Sequence, residues 1–223
     1  YVRGRSRRVG YLARRIAEQM GLDRTRCRLL HLAGQVHDIG MLNVPDRILN
    51  KPSRLGQGEF SRIREHPEQA YRILQPLTFL ADLLPAVRYH HERMNGTGYP
   101  HELSGKDIPL TARILAVADA YDAMTHDRPH RPALPAVEVL AELRRCSPAG
   151  YDPDCVAALE EVQVAVVAEA APDGVAARAG QLHPRRVLHD EGALVLGQQG
   201  VGGAVLHHQI GRASRRERVC VGV

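Results

Sequence analysis

Residues 23–40, DRTRCRLLHLAGQVHDIG, decide the fold. Asp23 or Thr25 can cap a helix whose Leu29, Leu30, Leu32, Ala33 and Val36 recur at helical spacing and gather on one buried face. This helix runs into His37-Asp38 and stops at Gly40. The same pattern repeats outward. Upstream, Ser6 can cap a helix that carries Val9, Leu12, Ala13, Ile16 and Met20 on one face and ends at Gly21. Downstream, a loop holds Pro45 and Pro52, Gly58 to Glu65 reads as helical, and Pro67 suits the first position of a helix reaching Leu74. Phe79 to His91 gives an apolar helix, and Asn95 to Pro109 a loop punctuated by Gly and Pro. Leu110 to Met124 is a strongly apolar helix, followed by Pro135 to Arg145 and a last short one from Asp152 to Val162. Period-two alternation, the mark of strands, is nearly absent, so the class is all-α, a helical bundle.

Composition agrees. Hydrophobic residues make up 44% and aromatics only 4%, with no Trp and two Phe, so Leu, Val, Ile and Ala must build the core. The formal net charge of +5 suits a small polyanionic substrate as well as a nucleic acid. The basic clusters at Arg3 to Arg8 and Arg212 to Arg218 carry no interleaved aromatics, which disfavours nucleic acid. Cys27, Cys146, Cys155 and Cys220 are far apart with no CxxC spacing and read as incidental reduced thiols. No apolar run approaches the roughly 20 residues of a membrane span, and the expected location is the cytoplasm. Opening on Tyr1 rather than Met marks the chain as a fragment, with an upstream sensor or membrane domain expected.

Two regions follow: a helical domain over 1–162 and a tail over 163–223. The tail is rich in Ala, Gly, Val and Arg and lacks a helical stripe. Within it, Ile210 to Val219, IGRASRRERV, resembles the translation of a sequencing adapter, so no structure is expected of it.

The chemistry lies in His and Asp. His37-Asp38 ends an apolar helix, and neighbouring residues cannot share a helical face. A metal centre accounts for both, with imidazole to one ion and a carboxylate able to bridge two. Taken alone, the pair reads more simply as a helix-end histidine favoured by the dipole beside a solvated aspartate. His66-Pro67 places another imidazole ahead of a helix, and His90-His91-Glu92 places two more before a Gly-rich loop. Asp119 lies inside the apolar run from Ile114 to Tyr121, where an unpaired carboxylate is costly and an ion removes the cost. Asp122, one turn on, suits an Arg partner as well as a place near the ion. Mixed nitrogen and oxygen ligands favour iron, manganese or zinc over magnesium. Two ions about 3.5–4 Å apart can clamp a phosphodiester for in-line attack without a protein nucleophile.

These motifs resemble the HD-GYP domain, a branch of the HD phosphohydrolase superfamily. The similarity rests on His37-Asp38-Ile39-Gly40 through Pro45-Asp46-Arg47-Ile48-Leu49-Asn50-Lys51-Pro52, on His90-His91-Glu92-Arg93-Met94-Asn95-Gly96-Thr97-Gly98-Tyr99-Pro100, on Ile108-Pro109, on Ala112-Arg113-Ile114, and on Val117 through Thr125 with Arg128-Pro129-His130-Arg131. It covers about residues 1–162. The resemblance implies a bacterial signalling hydrolase that converts cyclic di-GMP to linear pGpG and on to GMP, of the kind found in response regulators. It implies His37, Asp38, His66, His90, His91 and Asp119 as ligands of two divalent ions, iron or manganese, with Asp38 bridging and with His37 and Asp38 at the catalytic centre. The Gly98-Tyr99-Pro100 loop would shape the substrate cleft and contact diguanylate cyclase domains. Arg128 and Arg131 would meet the ligand's phosphates or guanines, a task guanidinium suits, although solvated helix-end charge explains them equally well. A homodimer is a further expected assembly.

The pattern is broken at two places. Arg5 stands in Gly4-Arg5-Ser6-Arg7-Arg8-Val9 where the family usually has a metal-ligating His, and guanidinium cannot ligate. Met41 follows His-Asp-Ile-Gly where the family commonly has Lys, so a phosphate partner is lost and an apolar stem packs instead. Tyr1 takes the place of an extra Glu ligand, which argues against a third ion. Both departures imply lowered activity. They keep open a second reading, a cyclic di-GMP receptor or scaffold without turnover, beside a third, a hydrolase of another nucleotide.

Overall fold

In the computed structural model, residues 4–51, 53–127 and 132–170 are described, 166–170 by backbone alone. Among them the chain is helical without a strand, as the periodicity predicts; a single antiparallel bridge, Asn95 to Ser104, pinches the long loop. Helix α1 (Arg5–Gln19) starts from Gly4, whose φ of 91° is left-handed, so Ser6 lies inside the helix and does not cap it. Helix α2 (Arg24–Val36) begins as expected: the Asp23 carboxylate accepts from the backbone N–H of Thr25 and Arg26 at 2.9 and 3.0 Å. The two helices cross at glycines. A Cβ on Gly34 would lie 2.5 Å from the Gly10 Cα, a spacing only glycine permits.

Helix α7 (Leu110–Thr125) is the centre of the bundle. It packs against α1 and, further along the chain, against α6 (Leu84–Tyr89), α8 (Ala136–Cys146) and α9 (Pro153–Ala170). Ile114, Leu115, Val117 and Ala118 are all completely buried there. Truncating Ile114 to Ala in such a setting costs about 2–5 kcal/mol. Around them close Val9 and Ile16 of α1, Leu30 of α2, Val139 and Leu143 of α8, and Leu159 of α9, an aliphatic core as the composition requires.

Three segments differ from their expected form. The helix expected over Phe79 to His91 is a 3-10 turn, Thr78–Leu83, followed by α6. Pro85 has no N–H to donate and its ring would strike the carbonyl four residues back, so the α-helix can only restart there. Phe79 is 77% exposed and takes no part in the core. The loop after Gly40 contains a 3-10 turn, Ile39–Asn43, and α3 (Asp46–Leu49), pinned by buried Ile48. Finally α9 continues past residue 162 to Ala170. Helices α4 (Gln57–Arg64) and α5 (His66–Leu74) fall where Gly58 to Glu65 and Pro67 to Leu74 were placed. Cys27 and Cys155 are buried free thiols, as expected, and Cys220 lies outside the described residues. Among the described residues no helix is long and apolar enough to cross a membrane.

Candidate active site at a histidine and aspartate cluster

Three imidazoles are oriented in one way. Nδ1 of His37, His66 and His90 each donates to the carbonyl three residues earlier, of Gly34, Ile63 and Val87, at 2.8, 2.8 and 2.7 Å. A carbonyl only accepts, so each Nδ1 carries a proton, and in the neutral ring Nε2 presents a lone pair, as it does in His66 and His90. All three rings are buried, at 0, 1 and 1% exposure, and the Nε2 atoms converge. His66 Nε2 lies 3.4 Å from His90 Nε2, two lone pairs face to face with no proton to share. His37 Nε2 lies 3.2 Å from Asp38 Oδ2 and 3.3 Å from Asp119 Oδ1, while His66 Nε2 is 3.5 Å from Asp38 Oδ1. His91 packs on His90 with ring centroids 4.1 Å apart. Donor atoms of His66, His90 and His91 come within 4.8 Å of one another, as do those of His37, Asp38 and His90. The six expected ligands therefore form one cluster, drawn from the end of α2, the start of α5, the end of α6 and the middle of α7.

The chain holds this cluster by close packing. A Cβ on Gly40 would lie 2.0 Å from the His66 carbonyl and 2.7 Å from the Ala70 nitrogen, so this glycine lets the turn after Asp38 press against α5. That contact sets the distance from Asp38 to His66. Beyond His91, the buried Glu92 carboxylate accepts from the backbone N–H of His101 and Leu103 at 2.7 and 3.0 Å and ties down the loop. Gly98 passes against Glu92 and Arg93, where its missing Cβ would stand 2.4 Å from either backbone. Tyr99, 8% exposed, then stacks on His91 with centroids 4.8 Å apart and planes at 22°. Pro100 is half-buried beside it. The loop 98–100 thus forms a wall of the site.

Charge follows position. Burial disfavours a protonated His37, but the carboxylates of Asp38 and Asp119 outweigh it and raise the pKa to about 10. Burial and the neighbouring His37 and His66 push His90 down to about 3, and burial likewise lowers His66 and His91. Asp119 is held well below the usual carboxylate range against the cost of burial, Arg5 being its strongest partner. At neutral pH His66, His90 and His91 are therefore neutral and able to ligate, and both carboxylates are charged. This donor set fits a divalent cation, and His37 Nε2, buried without a hydrogen-bond partner, points into it.

Arg5 also lies in the cluster, with Nη2 2.5 Å from Asp119 Oδ1 and Nε 3.4 Å from Asp38 Oδ2. Asp122 is resolved as the partner of an arginine: Arg8 grips it at 2.5 and 3.2 Å. Met41 is half-buried in the 3-10 turn. Arg128, Arg131 and Tyr1 lie outside the described residues. One residue escaped the sequence reading. Arg64, the last residue of α4, places its guanidinium 4.7 Å from the centre of the Tyr99 ring. Its only sequence signal is a position two residues before His66, and stacking on a tyrosine far along the chain leaves no local trace.

A model of the HD domain family matches residues 1–155. The chain belongs to the HD domain family. Relatives bear out the resemblance to the HD-GYP branch. A cyclic di-GMP phosphodiesterase response regulator of Xanthomonas campestris is 39% identical over 155 residues, covering 68% of this chain and 41% of that protein. A 3'3'-cGAMP-specific phosphodiesterase of Vibrio cholerae is 35% identical over 161 residues, covering 72% of this chain and 35% of the relative. The chain thus spans less than half the length of these curated relatives. Among solved structures, an HDG"Y"P protein of Bdellovibrio bacteriovorus superposes with a TM-score of 0.60 at 20% identity, over 72% of this chain and 51% of that one. At that identity the likeness speaks to the fold alone.

Proposed function

We propose that this HD domain is a metal-dependent phosphodiesterase that opens a cyclic dinucleotide, with cyclic di-GMP as substrate and pGpG as first product. The observation that carries the reading is the convergence of the His66 and His90 Nε2 atoms at 3.4 Å beside Asp38, an arrangement that a bound cation relieves. Relatives named for cyclic di-GMP and for 3'3'-cGAMP hydrolysis support the substrate class. Iron or manganese, when bound, supplies Lewis-acid polarisation of a phosphoryl oxygen and an acidified water.

The chain's own residues do the rest. His66, His90, His91 and Asp38 supply ligands for an ion, and His37 and Asp119 flank the other Asp38 oxygen. His66 and His90, neutral and with tautomers fixed by their Nδ1 bonds, keep that geometry without rearrangement, the preorganisation that electrostatic catalysis needs. Tyr99 and Arg64 provide a flat cationic wall next to His91, suited to a guanine face or a phosphate. Arg128 and Arg131 are proposed as further contacts to the same ligand, and the Gly98-Tyr99-Pro100 loop as the meeting place with diguanylate cyclase domains. The proposal includes a cytoplasmic location and a homodimer, read respectively by fractionation and light scattering.

A second reading, a receptor that binds without turnover, draws on Arg5 at the two carboxylates and Met41 in place of Lys. The test is incubation of iron- or manganese-loaded protein with cyclic di-GMP and separation of products. Formation of pGpG, abolished by Asp38→Ala, supports hydrolysis; tight binding without product supports the receptor.

A further inference from the structure

The place between Asp38 and Asp119 is held by a cation of the chain itself. Arg5 reaches both carboxylates from the first turn of α1, and its side chain is 12% exposed. The oxygens it takes, Asp38 Oδ2 and Asp119 Oδ1, are the same two that lie 3.2 and 3.3 Å from His37 Nε2. An ion bound beside His37 Nε2 by Asp38 and Asp119 would compete with Arg5 for those oxygens. Guanidinium cannot give up its proton in a protein, so it can neither ligate nor become neutral to make room.

The aim of Arg5 is set by a second pair. Arg8, one turn on along α1, grips Asp122, one turn on from Asp119 along α7. Two arginines three residues apart thus meet two aspartates three residues apart. This ladder fixes the register of α1 against α7 and leaves Arg5 little freedom to withdraw. The other half of the cluster is free of it: His66, His90 and His91 cluster by themselves, and Asp38 turns its remaining oxygen, Oδ1, toward His66 Nε2 at 3.5 Å.

We propose that this chain holds one divalent ion, on His66, His90, His91 and Asp38 Oδ1, and that the Arg5 guanidinium permanently stands in for a second. The inference rests on the metal-dependent reading above and narrows it. Asp38, rather than bridging two ions, bridges one ion and an arginine. The centre keeps a fixed positive charge next to Asp119 that no chelator can remove.

The test is metal content per folded chain after loading with Mn(II), measured by mass spectrometry of the metal, with electron paramagnetic resonance as a second readout. The native chain is expected to hold one ion and to show the resolved hyperfine pattern of an isolated Mn(II). Arg5→His should hold two and show exchange coupling. Two ions in the native chain, or one in a folded Arg5→His, overturn the inference and leave the hydrolase reading standing. No ion in either folded protein overturns both. The native measurement requires no variant, so a misfolded Arg5→His leaves the test intact.

Discussion

His66 Nε2 and His90 Nε2 lie 3.4 Å apart, each turned toward the other by a hydrogen bond from its own Nδ1 to the backbone. The first residue begins α5 and the second follows α6, so neither local segment requires the meeting. Buried imidazole lone pairs that face each other raise the energy of the metal-free fold, and a cation between them lowers it. Metal should therefore stabilise the protein. At a free concentration one hundred times the dissociation constant, linkage gives about 2.7 kcal/mol. For a chain of this size that is a rise in Tm of about 5–10 °C. Calorimetry with and without Mn(II) measures it, and an unchanged Tm would count against a metal site here.

Gly40 is the packing point beneath this site. Gly40→Ala would put a methyl group 2.0 Å from the His66 carbonyl, so α5 must retreat from the turn that carries Asp38. A loss of about 1–3 kcal/mol in stability is expected, the range of an overpacked core position. Metal affinity should fall with it. A variant that keeps full metal content and native stability would show that the contact does not set the ligand spacing.

The proposed function assigns Arg64 and Tyr99 to substrate and not to metal. Arg64→Ala removes a guanidinium from the Tyr99 face, worth about 1 kcal/mol or somewhat more where desolvated. The expected result is a rise of about tenfold in KM for cyclic di-GMP, with kcat and metal content little changed. Arg64→Lys should restore only part of the loss, because an ammonium does not stack. A fall in kcat alone would contradict this assignment.

Much of this was legible in the sequence, and the reason differs by element. Helices α2 and α7 are readable because long apolar stretches carry their own periodicity, and Asp23 announces its cap. The expected ligands were legible through the family resemblance of their motifs, since His37-Asp38 alone reads as well as a helix end beside a solvated carboxylate. Pro85 was the available sign that Phe79 to His91 could not be one helix. Contacts between distant segments were not readable: Arg64 on Tyr99, Arg8 on Asp122, and the insertion of Arg5 between two carboxylates. Arg5 could be recognised as a departure, but only the packing of α1 on α7 shows that its guanidinium reaches both Asp38 and Asp119.

The metal-free protein should be most stable near pH 6.5. His90, with its pKa lowered to about 3, binds its proton more readily when unfolded, so stability declines as pH falls from 6.5 toward 3. His37, raised to about 10, contributes stability that is fully present below its unfolded value of about 6.5 and is lost as pH rises toward 10. Thermal melts at pH 5, 6.5 and 9 in the presence of a chelator, at values chosen to bracket these shifts, measure it. A Tm that climbs steadily through that range would contradict the assigned charges.

Hydrolysis at the histidine and aspartate cluster is read from its products. Protein loaded with iron or manganese is incubated with cyclic di-GMP, and the nucleotides are separated. The native chain should yield pGpG and a folded Asp38→Ala none. Cyclic di-GMP recovered intact from a metal-loaded native chain that binds it would rule out hydrolysis and make this domain a receptor.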